Sequence, residues 1–166
     1  LNLKHPILWG YSLGAKIALA TVARNPDRYS GLILGGFELH SPVDQADDVV
    51  ADRLAEGPHA WLSLWQQMFD VPESLAGRLA AVDTQALSAL RQAEAAWPGL
   101  APAVERIACP VLLYAGETCF FRASTRQVGA DIADATYIEV PDCNHFQVML
   151  ESEWITDAVI RKFRQP

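Results

Sequence analysis

The chain has 166 residues, of which 51% are apolar and 20% charged. These are the values of one globular domain or most of one, and they exclude a disordered tail, a collagen and a coiled coil. Thirteen Lys and Arg against twenty Asp and Glu give a net charge of −7, so neither nucleic acid nor an anionic membrane is expected as a partner.

No apolar run approaches the roughly 18 residues that span a bilayer. The three cysteines, Cys109, Cys119 and Cys143, are too few for a disulfide framework, which points to a reducing, cytoplasmic setting. In chain order, Ile7-Leu8-Trp9 is a short apolar strand that ends at Gly10. A helix follows over 13–25, with Ala15, Ala18, Leu19, Val22 and Ala23 at helical spacing. Asn25-Pro26 stops it, because proline lacks a donor and biases the preceding residue away from helix. Gly31-Leu32-Ile33-Leu34-Gly35-Gly36 is a second apolar run without alternation, as in a strand covered on both faces. Residues 110–116 and 136–141 repeat that pattern around a helix near 124–133. A closing helix runs from about Ser152, with Ile155, Ala158, Val159 and Phe163 on one face. The β-α-β alternation predicts a mostly parallel sheet with flanking helices.

Residues 41–105 break that rhythm, since a parallel crossover needs only a dozen or more residues. Breakers at Pro42, Gly57-Pro58, Pro72 and Pro98-Gly99 divide the segment into helical pieces near 44–55, 59–69, 73–82 and 84–96. It reads as a helical lid inserted into a single domain.

Gly10-Tyr11-Ser12-Leu13-Gly14 matches G-x-S-x-G between a strand and a helix, the context that gives the motif its meaning. A serine on so sharp a turn projects its hydroxyl into the cleft. The glycines on either side are expected to remove side chains that would collide there, and the Leu13 N–H stands at a helix N-terminus, suited to an oxyanion. A serine nucleophile needs a base. Of the four histidines, His5 precedes the first strand, His40 follows the second and His59 lies in the insertion. His145 follows the last strand and meets Ser12 at the carboxyl ends of a parallel sheet, where ligands bind. Ser12 is therefore the candidate nucleophile and His145 the candidate base.

With these residues in view, the chain resembles the carboxyl-terminal half of an α/β-hydrolase-fold enzyme. Residues 10–16 resemble the nucleophile elbow, 107–117 the penultimate strand, and Val140-Pro141-Asp142-Cys143-Asn144-His145-Phe146 the histidine loop. The resemblance implies an α/β fold, Ser12 as nucleophile, His145 as base and Leu13 N–H as one oxyanion donor. It also implies an aspartate in the loop after Gly116-Glu117, where Cys119 stands instead. Glu38, after the second strand, occupies the position some relatives use for the acid; its other reading is a solvated carboxylate. Glu117 and Asp142 are further candidates. The family's earlier strands have no counterpart, and the first residue is Leu1 rather than Met. The expectation is therefore a fragment of a longer protein, or a half-sheet that pairs with another chain through the open strand at 7–9.

Cys119 occupies the acid loop and Cys143 precedes His145 by two residues, and the pair reads either as a reversible disulfide or as two unrelated buried thiols. In the insertion, Trp61, Leu64, Trp65, Met68 and Phe69 form one apolar face, read either as packing or as a substrate-pocket wall. Tyr11, Trp61 and Trp65 are the candidate substrate-binding side chains. Arg122 and Arg126 read as surface charges. No metal-ligand spacing, P-loop or G-x-G-x-x-G is present, so no cofactor or metal is expected. Two functions stand: a serine hydrolase acting on an ester, thioester or activated C–C bond of a small molecule with an apolar portion, and a non-catalytic binding module derived from one.

Overall fold

The structure, a computed structural model, describes residues 3–39, 48–97 and 99–164; His40, Pro42, Pro98 and the expected helix start at 44–47 lie outside them. Four strands, β1 (Ile7–Tyr11), β2 (Gly31–Gly35), β3 (Val111–Gly116) and β4 (Ala135–Val140), form one sheet in the order β1-β2-β3-β4. Every neighbouring pair is parallel. Helices α1 (Leu13–Arg24), α6 (Ala101–Val104), α7 (Arg122–Asp131) and α8 (Ser152–Phe163) accompany this sheet, and α2 (Val49–Ala55), α3 (Pro58–Met68), α4 (Glu73–Ala80) and α5 (Thr84–Ala95) lie between β2 and α6 in the chain.

The uninterrupted apolar runs of β2 and β3 are buried along their whole length, because helices cover both faces. On one face Leu32, Leu34, Val111 and Leu113 meet Ala15, Leu19 and Val22 of α1 and Val128 of α7. On the other, Ile33, Leu112, Tyr114 and Val140 meet Ile155 and Ala158 of α8. Strand β1 is an edge: among the described residues it pairs only with β2, and Ile7 and Trp9 are 40% and 48% exposed. No helix among the described residues is long and apolar enough to cross a membrane.

Two compact units emerge, Leu1–His40 with Gly99–Pro166, and Ser41–Pro98. The second is shorter than the 41–105 segment the sequence suggests. Residues 99–105 belong with the sheet, since Val104 is buried beside Ala15 and Leu19 on a helix of one turn, too short to show periodicity. Within the Ser41–Pro98 unit, Asp48 caps α2 by accepting from Val50 N and Ala51 N, both at 3.2 Å. It also takes two hydrogen bonds from Arg91 on α5, at 2.9 and 3.2 Å. Burial alone would raise the Asp48 pKa, but the Arg91 pair and the two amides hold it below the ordinary value.

The register aligns Tyr11 of β1, Gly35 of β2 and Tyr114 of β3 in one row. The two tyrosine rings stack, with centroids 5.8 Å apart and planes 25° apart. A Cβ at Gly35 would overlap atoms of both rings, so only glycine permits this approach. Nearby, Lys16 of α1 donates to Glu38 after β2 at 2.5 Å, a pair whose side chains are 6% and 12% exposed. Gly35→Ala should cost about 1–3 kcal/mol of stability by overpacking, read by urea denaturation. Lys16→Met should cost about 3–5 kcal/mol by leaving a buried carboxylate unpaired, and Lys16→Met/Glu38→Leu should recover most of that loss in the same measurement.

Candidate active site

Strand β1 ends at Tyr11 and α1 begins at Leu13, so Ser12 alone makes the turn. Its φ of 52° and ψ of −121° lie in a region that L-residues seldom occupy. Such a conformation costs roughly 1–3 kcal/mol and persists where its surroundings over-determine it. Here Ser12 N–H donates to Gly35 O at 2.8 Å, and Ser12 O accepts from Ala15 N at 2.9 Å. Gly10 is required, because a Cβ there would overlap the Gly14 carbonyl. Gly14 is not required on the same ground: a Cβ there would meet no atom within 4 Å, which corrects the expectation that both glycines relieve collisions.

A serine at a helix N-cap ordinarily turns its hydroxyl onto the first-turn amides. Ser12 makes no such bond. Its Oγ lies 3.2 Å from Nε2 of His145 instead. Leu13, as the first residue of α1, carries an N–H with no intrahelical partner.

The histidine loop is fixed by local polar bonds. Asp142 takes a positive φ of 54°, and its N–H donates to Glu117 Oε2 at 3.1 Å. Asn144 Oδ1 accepts from Phe146 N and Gln147 N at 2.8 and 3.0 Å, while Asn144 N donates to Gln147 Oε1 at 2.9 Å. The reciprocal pair nucleates a 3-10 turn over Gln147–Leu150 and leaves His145 only 6% exposed.

The other ring nitrogen, Nδ1, lies 3.3 Å from Cys119 Sγ and 3.3 Å from the Tyr11 hydroxyl. That hydroxyl donates to His145 O at 2.5 Å. Among the described residues no carboxylate bonds to Nδ1. Glu38, the expected substitute acid, accepts a hydrogen bond from the buried Lys16. Glu117 is engaged with Asp142 N. Tyr11, an expected substrate-binding side chain, has its hydroxyl engaged with His145. Burial pushes the His145 pKa down to about 4. It pushes the Cys119 thiol up, against the lowering effect of the Phe121 and Arg122 amides. Tyr11 is raised by burial, with Cys119 and Tyr114 adding to it. At neutral pH all three are therefore uncharged. Cys119 and Cys143 are free buried thiols, not a disulfide.

Four aromatic rings surround the imidazole: Phe120 at 4.5 Å, Tyr11 at 5.0 Å, Phe146 at 5.5 Å and Phe121 at 5.6 Å. Phe120 and Phe121 were not singled out from the sequence, although they directly follow Cys119. Thr125, also missed, fixes the loop after β2: its Oγ1 accepts from Phe37 N at 3.0 Å and donates to Phe37 O at 2.9 Å.

Trp61 and Trp65 stand on α3 of the Ser41–Pro98 unit, 5.0 Å apart and edge to face, with Phe69 stacked 6.1 Å beyond Trp65. Met68 departs from the expected apolar face, being 57% exposed. Arg122 pairs with Glu139 at 3.5 Å, both partly exposed. Among the described residues no group of three or more His, Cys, Asp or Glu is placed to hold a metal ion.

The enol-lactonase of Burkholderia xenovorans superposes with a TM-score of 0.80 at 20% identity, over 95% of this chain and 65% of its own. A thermophilic esterase of Thermogutta terrifontis superposes at 0.83 and 21% identity, over 97% and 65%. MenH of S. aureus does so at 0.80 and 20%, over 97% and 68%. The chain thus spans just under two thirds of the lactonase and esterase, and at these identities the likeness is one of fold. No curated protein matches the sequence. Residues 2–158 match the alpha/beta hydrolase family, and the chain belongs to that family.

Proposed function

We propose that the chain carries the nucleophile and base of a serine hydrolase acting on a carboxylic ester, lactone or thioester of a small molecule with an apolar portion. The observation that supports this most is the strained, uncapped Ser12 with its Oγ 3.2 Å from His145 Nε2. In this reading Ser12 Oγ attacks the carbonyl carbon and its proton passes to Nε2. The carbonyl oxygen becomes an oxyanion facing Leu13 N–H, and the departing alkoxide or thiolate takes the proton from Nε2. Water then attacks the acyl-serine, giving its proton to Nε2 and releasing the acid, and Ser12 regains its hydrogen.

The environment of His145 narrows the substrate. A base with a pKa near 4 removes a proton with less driving force than one poised near 7. This favours acyl groups on good leaving groups, such as enol or phenol esters, over plain alkyl esters. Cleavage of an activated C–C bond uses the same groups. The Phe120 and Phe121 rings beside His145 support an apolar substrate body, the net charge of −7 supports a small molecule over nucleic acid, and a count of three cysteines, too few for a disulfide framework, supports a reducing, cytoplasmic setting. The exposed edge of β1 supports its use as a pairing strand.

A second reading, a ligand-binding module, is favoured by one observation: Cys119 stands at Nδ1 where a carboxylate would stabilise an imidazolium. A fluorophosphonate probe separates the two. Labelling of the chain at pH 7 that Ser12→Ala abolishes is expected; equal signal in both proteins overturns the hydrolase reading. Because neutral imidazole is the active form and its pKa is lowered to about 4, the labelling rate should stay level from pH 8 down to about 5. It should then fall tenfold per unit below about 4, whereas an unperturbed histidine would already lose rate near 6.5. Cys119→Asp should raise the His145 pKa by setting a carboxylate at Nδ1 and so increase the labelling rate at pH 8, by about tenfold or more.

A further inference from the structure

We infer that Tyr11 is a positioning residue that fixes the tautomer of His145 in place of a carboxylate, accepting the Nδ1–H on its phenol oxygen while its own hydrogen is committed to the His145 main-chain carbonyl. The inference rests on the Ser12–His145 reading above and adds the group that makes His145 usable as a base.

A neutral imidazole carries one N–H. To take a proton from Ser12 it must hold that hydrogen on Nδ1 and present the Nε2 lone pair to Oγ. Two groups stand at Nδ1, each at 3.3 Å. A thiol donates or accepts, so Cys119 does not select a tautomer. If its S–H points at Nδ1, the hydrogen moves to Nε2 and the base is blocked. Tyr11 has no such freedom. A phenol has a single hydrogen, and a carbonyl oxygen only accepts, so the 2.5 Å bond to His145 O uses that hydrogen. What Tyr11 presents to Nδ1 is a lone pair, and only the Nδ1–H tautomer can meet it. At 3.3 Å the contact is long for an N–H···O bond, and it should shorten as positive charge develops on the ring.

The phenol is held where this requires. Tyr11 stacks on Tyr114 across Gly35, and Tyr114 is fixed in turn by Trp9 Nε1 donating to its hydroxyl at 3.0 Å. The Tyr11 ring also lies at 5.0 Å and a 32° tilt from the imidazole. Its rotamer is thus set by the strand register, not by substrate. Substituting phenylalanine removes the oxygen and keeps the ring, so folding is preserved while the acceptor is lost.

The test uses the full chain with ¹⁵N-labelled histidine, in which ¹⁵N chemical shifts report which ring nitrogen carries hydrogen, and His145→Gln identifies the His145 signals. At pH 7 the native chain should show the Nδ1–H tautomer. Tyr11→Phe should shift it to Nε2–H and slow fluorophosphonate labelling by about 10² or more, within the 10⁴ that a wrong tautomer costs a serine triad. Cys119→Ala should leave the tautomer at Nδ1–H, and Cys119→Asp should restore it in the Tyr11→Phe background. An Nε2–H signal in the native chain, or an unchanged tautomer in Tyr11→Phe, overturns the inference, even if Ser12 reacts with the probe. If the tautomer responds as expected while Ser12 stays unlabelled, the role of Tyr11 stands and the hydrolase reading falls.

Discussion

The site depends on one backbone constraint: the chain reverses from β1 into α1 through a single residue, and that residue is Ser12 at positive φ. An extended or helical φ at this position would lengthen β1 or start α1 earlier. In either case the Oγ would point along the strand or onto the first helical amides. The bond from Ser12 N to Gly35 O ties the turn to β2, and Gly10 lets the Gly14 carbonyl approach from above. The strain is thus sustained by the sheet itself. Because all four strands run the same way, the loops carrying Ser12, Glu38, Cys119 and His145 all leave from the same end, so residues far apart in sequence become neighbours without any long excursion.

Electrostatically, His145 is governed by burial that no charge opposes. A carboxylate partner ordinarily performs two tasks, fixing the tautomer and stabilising the imidazolium. Neither Cys119 nor Tyr11 is ionised at neutral pH, so the second task lacks a full charge. The surrounding rings offer a partial substitute, since cation–π contacts contribute about 0.5–2 kcal/mol. That is less than the difference between an ordinary histidine and one near 4, for which each unit is about 1.4 kcal/mol. Desolvation therefore wins, and the ring stays neutral at pH 7.

How far the sequence discloses this varies with the range of the cause. The elbow is legible because its cause is local, a G-x-S-x-G between an apolar strand and an amphipathic helix. The parallel core is legible because β2 and β3 lack alternation, which only burial on both faces allows. The substitution at Cys119 is visible because one residue differs from a short pattern. Glu38 is less legible because its partner, Lys16, stands one turn into α1 on another element, and no spacing rule links them. Helix α6 is not legible because one turn has no period, so its residues read as part of the insertion although Val104 belongs to the sheet's core.

Tyr11 is the least legible, and the reason is instructive. In the sequence it is the residue before the candidate nucleophile, where a substrate contact is the natural reading. Its actual engagement follows from a three-strand register that stacks its ring on Tyr114 over Gly35, combined with the path of the histidine loop, which brings the His145 carbonyl and Nδ1 to one oxygen. No pairwise pattern in the chain encodes that coincidence. It separates the two tasks a carboxylate combines: an oxygen whose hydrogen is already spent can dictate where the imidazole keeps its proton without supplying charge. In the proposed reading, a site built this way keeps the geometry of a base while giving up part of its strength.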